Sequence, residues 1–110
     1  GIYDWRQQMA IIEGWYREYL GRSIRTTERA AWEARLRNGE SLAEVQAYLL
    51  GSHEYYDRYR GNTQSYLAQS YENLYKRRPT ALELTRYERM MQGGMQRVEV
   101  MKQMAQDANR

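Results

Sequence analysis

Residues able to do chemistry are few in this chain, and they gather in one stretch. His53-Glu54-Tyr55-Tyr56-Asp57 runs directly into Arg58-Tyr59-Arg60. His53 and Asp57 stand four apart, a spacing that places two ligands on one face of a helix. The set goes no further, because the chain holds one His and no Cys. The pair therefore reads as a surface segment closing a helix, and no metal or cofactor is implied. His53 has no Ser or Cys nucleophile in a recognisable setting. The glycines are isolated helix stops rather than a phosphate-cradling loop. No catalytic residue, and hence no enzyme, is read from the sequence.

The same stretch reads first as a structural hinge between the two halves of the chain, and second as a candidate partner-binding patch formed by Tyr55, Tyr56, Arg58, Tyr59 and Arg60. Tyr and Arg are the residue types of adaptable interfaces. The partner it favours is protein, either another copy or other domains of a parent chain. Carbohydrate comes second, and single-stranded nucleic acid, which needs converging cations beside the stacking rings, fits least. Arg22 and Arg77 are the other polar candidates. Either they contact an anion or a partner, or each bonds the orphan carbonyls of a helix end and a nearby carboxylate. The second reading predicts an Arg22 that is at least half buried.

The elements that must position these residues are helical. Apolar content of 42% with 28% charge is globular rather than disordered. A chain of 110 residues suits one domain with one core. The net charge of +3 is carried almost wholly by arginine, since only Lys76 and Lys102 are lysines. Acids precede bases at i,i+4 in Glu13–Arg17, Glu33–Arg37 and Glu54–Arg58, the favourable order on a helix surface. Most charge is therefore a solvated face rather than a nucleic-acid stripe. No apolar run reaches the length of a membrane span. The helical pattern begins almost at once, as in a domain cut from a longer protein.

Asp4 is the expected N-cap of a first helix carrying Trp5, Met9, Ile12, Tyr16 and Tyr19 at three- and four-residue steps. Gly14 weakens this helix or lets a neighbour pack closely, and Gly21 ends it. Thr26 or Thr27 is expected to cap a second helix that carries Ala31, Trp32 and Leu36. Asn38-Gly39 stops it. Ser41 and Glu44 form a capping box for a third helix with Leu42, Val45 and Leu49. Gly51-Ser52 breaks or bends that helix, and Ser52 caps a short one. Gly61-Asn62-Thr63 is the clearest internal boundary. A helix with Tyr71 and Leu74 follows, then a stop at Pro79. Thr80–Glu83 forms a second capping box before Leu84, Tyr87 and Met91. Gly93-Gly94 ends that helix, and a last one carries Val98, Met101 and Met104. The methionines Met90, Met91, Met95, Met101 and Met104 read as plastic core.

A shift of 55 positions brings Tyr16 onto Tyr71, Arg22 onto Arg77, Glu28 onto Glu83, Trp32 onto Tyr87 and Gly39 onto Gly94. These are positions a fold constrains. The expected architecture is all-α: about six helices from two divergent copies of a three-helix unit, about 4–60 and 63–110, sharing one core in a single domain. Arg22, Trp32, Gly39, Arg77, Tyr87 and Gly94 are the structural motif of that unit, with Trp32 and Tyr87 in the core.

Tyr-Leu-Gly-Arg at 19–22, Trp32, Leu36, Asn38-Gly39, Ser41, Val45, Leu49 and Ser52-x-Glu54-Tyr55 together resemble a bacterial helical repeat module of unassigned function. Such modules occur in surface-layer and haemolysin-type secreted proteins. The pattern is also similar to phycobilisome rod-linker domains, which act as scaffold. The loop after Arg22 departs from that family, with Ser23-Ile24-Arg25 where the pattern has an acidic turn. The resemblance implies a non-catalytic scaffold or protein-interaction module of a larger bacterial protein, extracellular or at the cell surface. The alternative is a carbohydrate- or cell-wall-binding module using exposed Tyr and Trp.

Overall fold

A computed structural model describes residues 4–107. Among these residues the chain is all-α, with seven helices in the order α1 (Trp5–Leu20), α2 (Thr26–Arg37), α3 (Leu42–Leu50), α4 (His53–Asp57), α5 (Thr63–Tyr75), α6 (Ala81–Gln92) and α7 (Arg97–Asp107). The short α4 is the addition to the six longer helices.

Local chemistry accounts for most helix ends. Asp4 accepts the Gln7 N–H at 2.9 Å, and the Gln7 side chain reaches back to the Asp4 N–H at 3.1 Å. Ser41 and Glu44 exchange the same pair of bonds, as do Thr80 and Glu83. Ser52 caps α4 through the Tyr55 N–H. One expectation is corrected. The cap of α2 is neither Thr26 nor Thr27: the helix begins at Thr26 after Arg25, whose side chain has no acceptor. Glu28 compensates by accepting the Arg25 N–H at 2.9 Å. Asn62 caps α5, accepting from the Ser65 N–H. Ala31 lies on the exposed side of α2, while Trp32 and Leu36 are buried.

Gly21, Gly39 and Gly94 have left-handed backbone, with φ of 65°, 93° and 94°. Asn38 and Gly93 precede two of these turns in ordinary right-handed geometry. Lys76 ends α5 at φ 59° where Gly21 ends α1, and Arg60 has φ 52°. A side chain in this region costs about 1–2 kcal/mol that glycine does not incur.

The chain divides into two compact units, Gly1–Gln46 and Ala47–Arg110, with the division inside α3. In the first, α1 packs on α2 and buries Met9, Ile12, Tyr16, Tyr19, Trp32 and Leu36. In the second, α5, α6 and α7 pack on one another around Tyr66, Leu67, Tyr71, Tyr87, Val100, Met101 and Met104. Met90 and Met91 are partly buried, whereas Met95 is exposed.

The two interior glycines flagged by the sequence differ. Gly14 faces open space, so close packing of a neighbour is not its role. Gly51 is buried, and a Cβ there would stand 2.6 Å from the Val98 Cα and 2.7 Å from its N. The missing side chain lets α7 approach the backbone between α3 and α4.

Among the described residues, the choice of tyrosine over phenylalanine has a physical reason. Buried and part-buried rings use their hydroxyls as ties between elements. Tyr16 accepts from the Trp32 indole at 2.8 Å, and Tyr19 accepts from Gln46 at 2.9 Å. Tyr66 donates to the Leu50 carbonyl, Tyr75 to the Met104 carbonyl, and Tyr87 to Asp107. Phenylalanine would fill the same volume and forfeit each bond, worth about 1 kcal/mol apiece.

Candidate functional site

The polar residues marked by the sequence build two matching clamps. Arg22 lies just past α1, and its guanidinium grips the Glu28 carboxylate with two parallel bonds of 2.8 Å. It also donates to the Ser23 carbonyl and sits 5.1 Å from the Tyr16 ring centre. Only 21% of the Arg22 side chain is exposed. In the second unit Arg77 grips Glu83 with two bonds of 3.0 Å, donates to the Arg78 carbonyl and sits 5.0 Å from the Tyr71 ring. Glu28 and Glu83 each also accept the N–H that opens the following helix. A single carboxylate thus fixes the helix end, the loop and the next helix start.

The electrostatics follow from this geometry. The Arg22 guanidinium bonded to Glu28 holds its carboxyl down at about 2. Glu83 is also held well below the carboxylate range, first by Arg77 and then by the Thr80 N–H and the Tyr71 hydroxyl. Trp32 and Tyr87 are both buried, as the motif requires. They bond differently, Trp32 to Tyr16 and Tyr87 to Asp107. Arg86 pairs with the same Asp107 carboxylate.

The stretch from Tyr55 to Arg60 does not form one exposed patch. Tyr55 is buried, with 2% exposure. Its ring lies 5.3 Å from Tyr59 and 5.8 Å from Tyr66, and Tyr56 meets Tyr66 edge-on at 4.9 Å. The Tyr55 hydroxyl accepts from Tyr59 and from Asn73. Burial pushes the Tyr55 and Tyr66 hydroxyls well above the ordinary tyrosine value. Tyr55 is therefore corrected from a partner-binding to a packing residue. Tyr56 and Tyr59 keep a partly exposed edge, and Arg58 and Arg60 face solvent.

His53 and Asp57 do meet, at 3.2 Å, on the exposed side of α4. Among the described residues no group of three His, Cys, Asp or Glu is placed to hold a metal ion. The other neighbour of His53 is Arg97, whose guanidinium lies 3.3 Å from Nδ1 and 4.4 Å from the Tyr56 ring centre. Arg97 went unmarked by sequence reasoning, since its counterpart in the first half is Leu42.

Among the described residues, two stacked ring pairs that could serve a sugar-binding platform each contain a buried member. Trp15 stacks on buried Tyr19, and Tyr75 stacks on buried Tyr71 at 4.1 Å. Among the described residues the exposed large apolar side chains are Tyr48, Leu82 and Met95. No helix among these residues is long and apolar enough to cross a membrane. No family model, curated protein or solved structure matches the chain.

Proposed function

We propose that this chain is a non-catalytic helical scaffold or protein-interaction module of a larger bacterial protein, working outside the cell or at its surface. The observation that carries the reading is the pair of arginine–glutamate clamps. The residues best equipped for chemistry are tied to helix starts at two matching places, Arg22–Glu28 and Arg77–Glu83. Two copies of a three-helix unit account for that correspondence, with left-handed turns at Gly39 and Gly94 completing each copy. Tyrosine hydroxyls likewise serve packing. What such a fold offers a partner is shape and surface charge.

Sedimentation velocity over a dilution series, at low and moderate salt, tests this. Reversible self-association makes the module an assembly element. A monomer under every condition that also retains a member of a glycan panel would replace this reading with carbohydrate binding.

A further inference from the structure

Charge is distributed unevenly along the chain. The unit Ala47–Arg110 holds ten Lys and Arg against seven Asp and Glu, and so carries the whole net charge of +3. Five of the ten cations stand in two short runs. Arg58 and Arg60 bracket Tyr59, and Lys76-Arg77 runs into Arg78. Tyr59 and Arg78 line one cleft of about 340 Å³, together with Ala68, Glu72, Pro79 and Leu84. Both runs therefore lie next in the chain to a wall of the same cleft.

Not all of these cations serve the fold. Arg77 is committed to Glu83. No ion pair takes up the exposed side chains of Arg60, Lys76 or Arg78 among the described residues. Arg60 and Lys76 are also the two non-glycine residues there with left-handed backbone. Glycine would suit both positions better, so the cationic side chains are held at a conformational cost.

The lining selects among anionic partners. Tyr59, Ala68, Pro79 and Leu84 offer an apolar floor, suited to a side chain rather than to a sugar–phosphate backbone. Glu72 can accept a peptide N–H. We propose that this cleft docks an acidic segment of a partner protein. One apolar side chain seats against Tyr59, Pro79 and Leu84, and flanking Asp or Glu residues are drawn to Arg60, Lys76 and Arg78. The inference rests on the protein-interaction reading and names the chemistry of the partner.

Selection of a displayed library of short random peptides on the immobilised protein tests it. Enriched peptides should place acidic residues around a Leu, Met or aromatic. Their affinity should fall roughly tenfold in the triple variant Arg60→Gly, Lys76→Gly, Arg78→Gln, the sum of three weak exposed pairs. Both glycines relax the backbone, so this variant keeps its fold, as a thermal melt will show. Ala68→Tyr should abolish binding by filling the cleft. The inference is overturned by an empty selection, by binders without acidic character, or by binders indifferent to both variants. Tighter binding of an oligothymidylate than of any selected peptide also overturns it, in favour of nucleic acid. Self-association in sedimentation alongside an empty selection would remove the cleft and leave the scaffold reading intact.

Discussion

Replacing Gly51 with alanine adds one methyl group, and the structure makes that methyl expensive. Its carbon would stand 2.6 Å from the Val98 Cα, 2.7 Å from its N and 2.8 Å from its Cγ2. Two of these three atoms are backbone, so no rotamer change relieves them. Ordinary carbon contacts begin near ~3.5 Å, which requires α7 to move away by most of an ångström. Overpacking a tight site costs about 1–3 kcal/mol, and a backbone clash belongs at the upper end. At about 4–8 °C per kcal/mol for a domain of this size, Gly51→Ala should lower the melting temperature by roughly 10–20 °C. Gly14→Ala is the matched control. Gly14 sits inside α1 with nothing within 4 Å of an added Cβ, so the same methyl should stabilise by about 1 kcal/mol through helix propensity. Circular dichroism melts of the two variants should therefore shift in opposite directions. A Gly51→Ala melt equal to wild type would refute the close approach of α7.

Three further outcomes follow from the clamps and the tyrosines. Glu28 titrates at about 2 when folded, against 4.5 for the free group. The stability it contributes is present above about pH 4.5 and is lost as the pH falls toward 2. Glu28→Gln should cost about 1–2 kcal/mol at neutral pH, discounted for partial solvent screening, and the gap in urea midpoints should close in acid. Lys76→Gly should raise the melting temperature by a few degrees, since it removes a left-handed side chain worth about 1 kcal/mol. Burial raises Tyr19 and Tyr71 to about 12. Because these folded values exceed the free value of 10.0, stability is full below pH 10 and drains away above it. Ultraviolet titration should show a late tyrosine fraction that ionises only with unfolding, and a single transition near the free value would contradict the buried hydroxyls.

How much of this was legible in the sequence depends on the range of the forces involved. Asp4, the Ser41–Glu44 and Thr80–Glu83 boxes and the glycine stops are local, and they are found where the residues say. The cap of α2 was missed because the carboxylate that completes it, Glu28, lies inside the helix and had no Ser or Thr partner to signal it. Tyr55, Tyr56 and Tyr59 looked like a patch because a five-residue helix is too short to display a period. Their burial comes from Tyr66, beyond the Gly61–Asn62 turn. That same clustering keeps the chain on both sides of the turn in one compact unit, whereas a boundary was expected there. The arginine clamps were readable from spacing. The cleft beside Tyr59 was not, because its walls are drawn from α5 and from the loop ahead of α6.

The clamps also set where this chain tolerates changes in length. Arg22 and Glu28 are six residues apart, as are Arg77 and Glu83. Each carboxylate must reach a guanidinium and a backbone N–H at once. One inserted residue between the members of a pair would separate the helix end from the next helix start. Inserting near Gly61, whose left-handed turn is exposed and faces open space, breaks no such paired contact. Libraries that vary loop length should therefore spare 22–28 and 77–83 and place inserted residues beside Gly61.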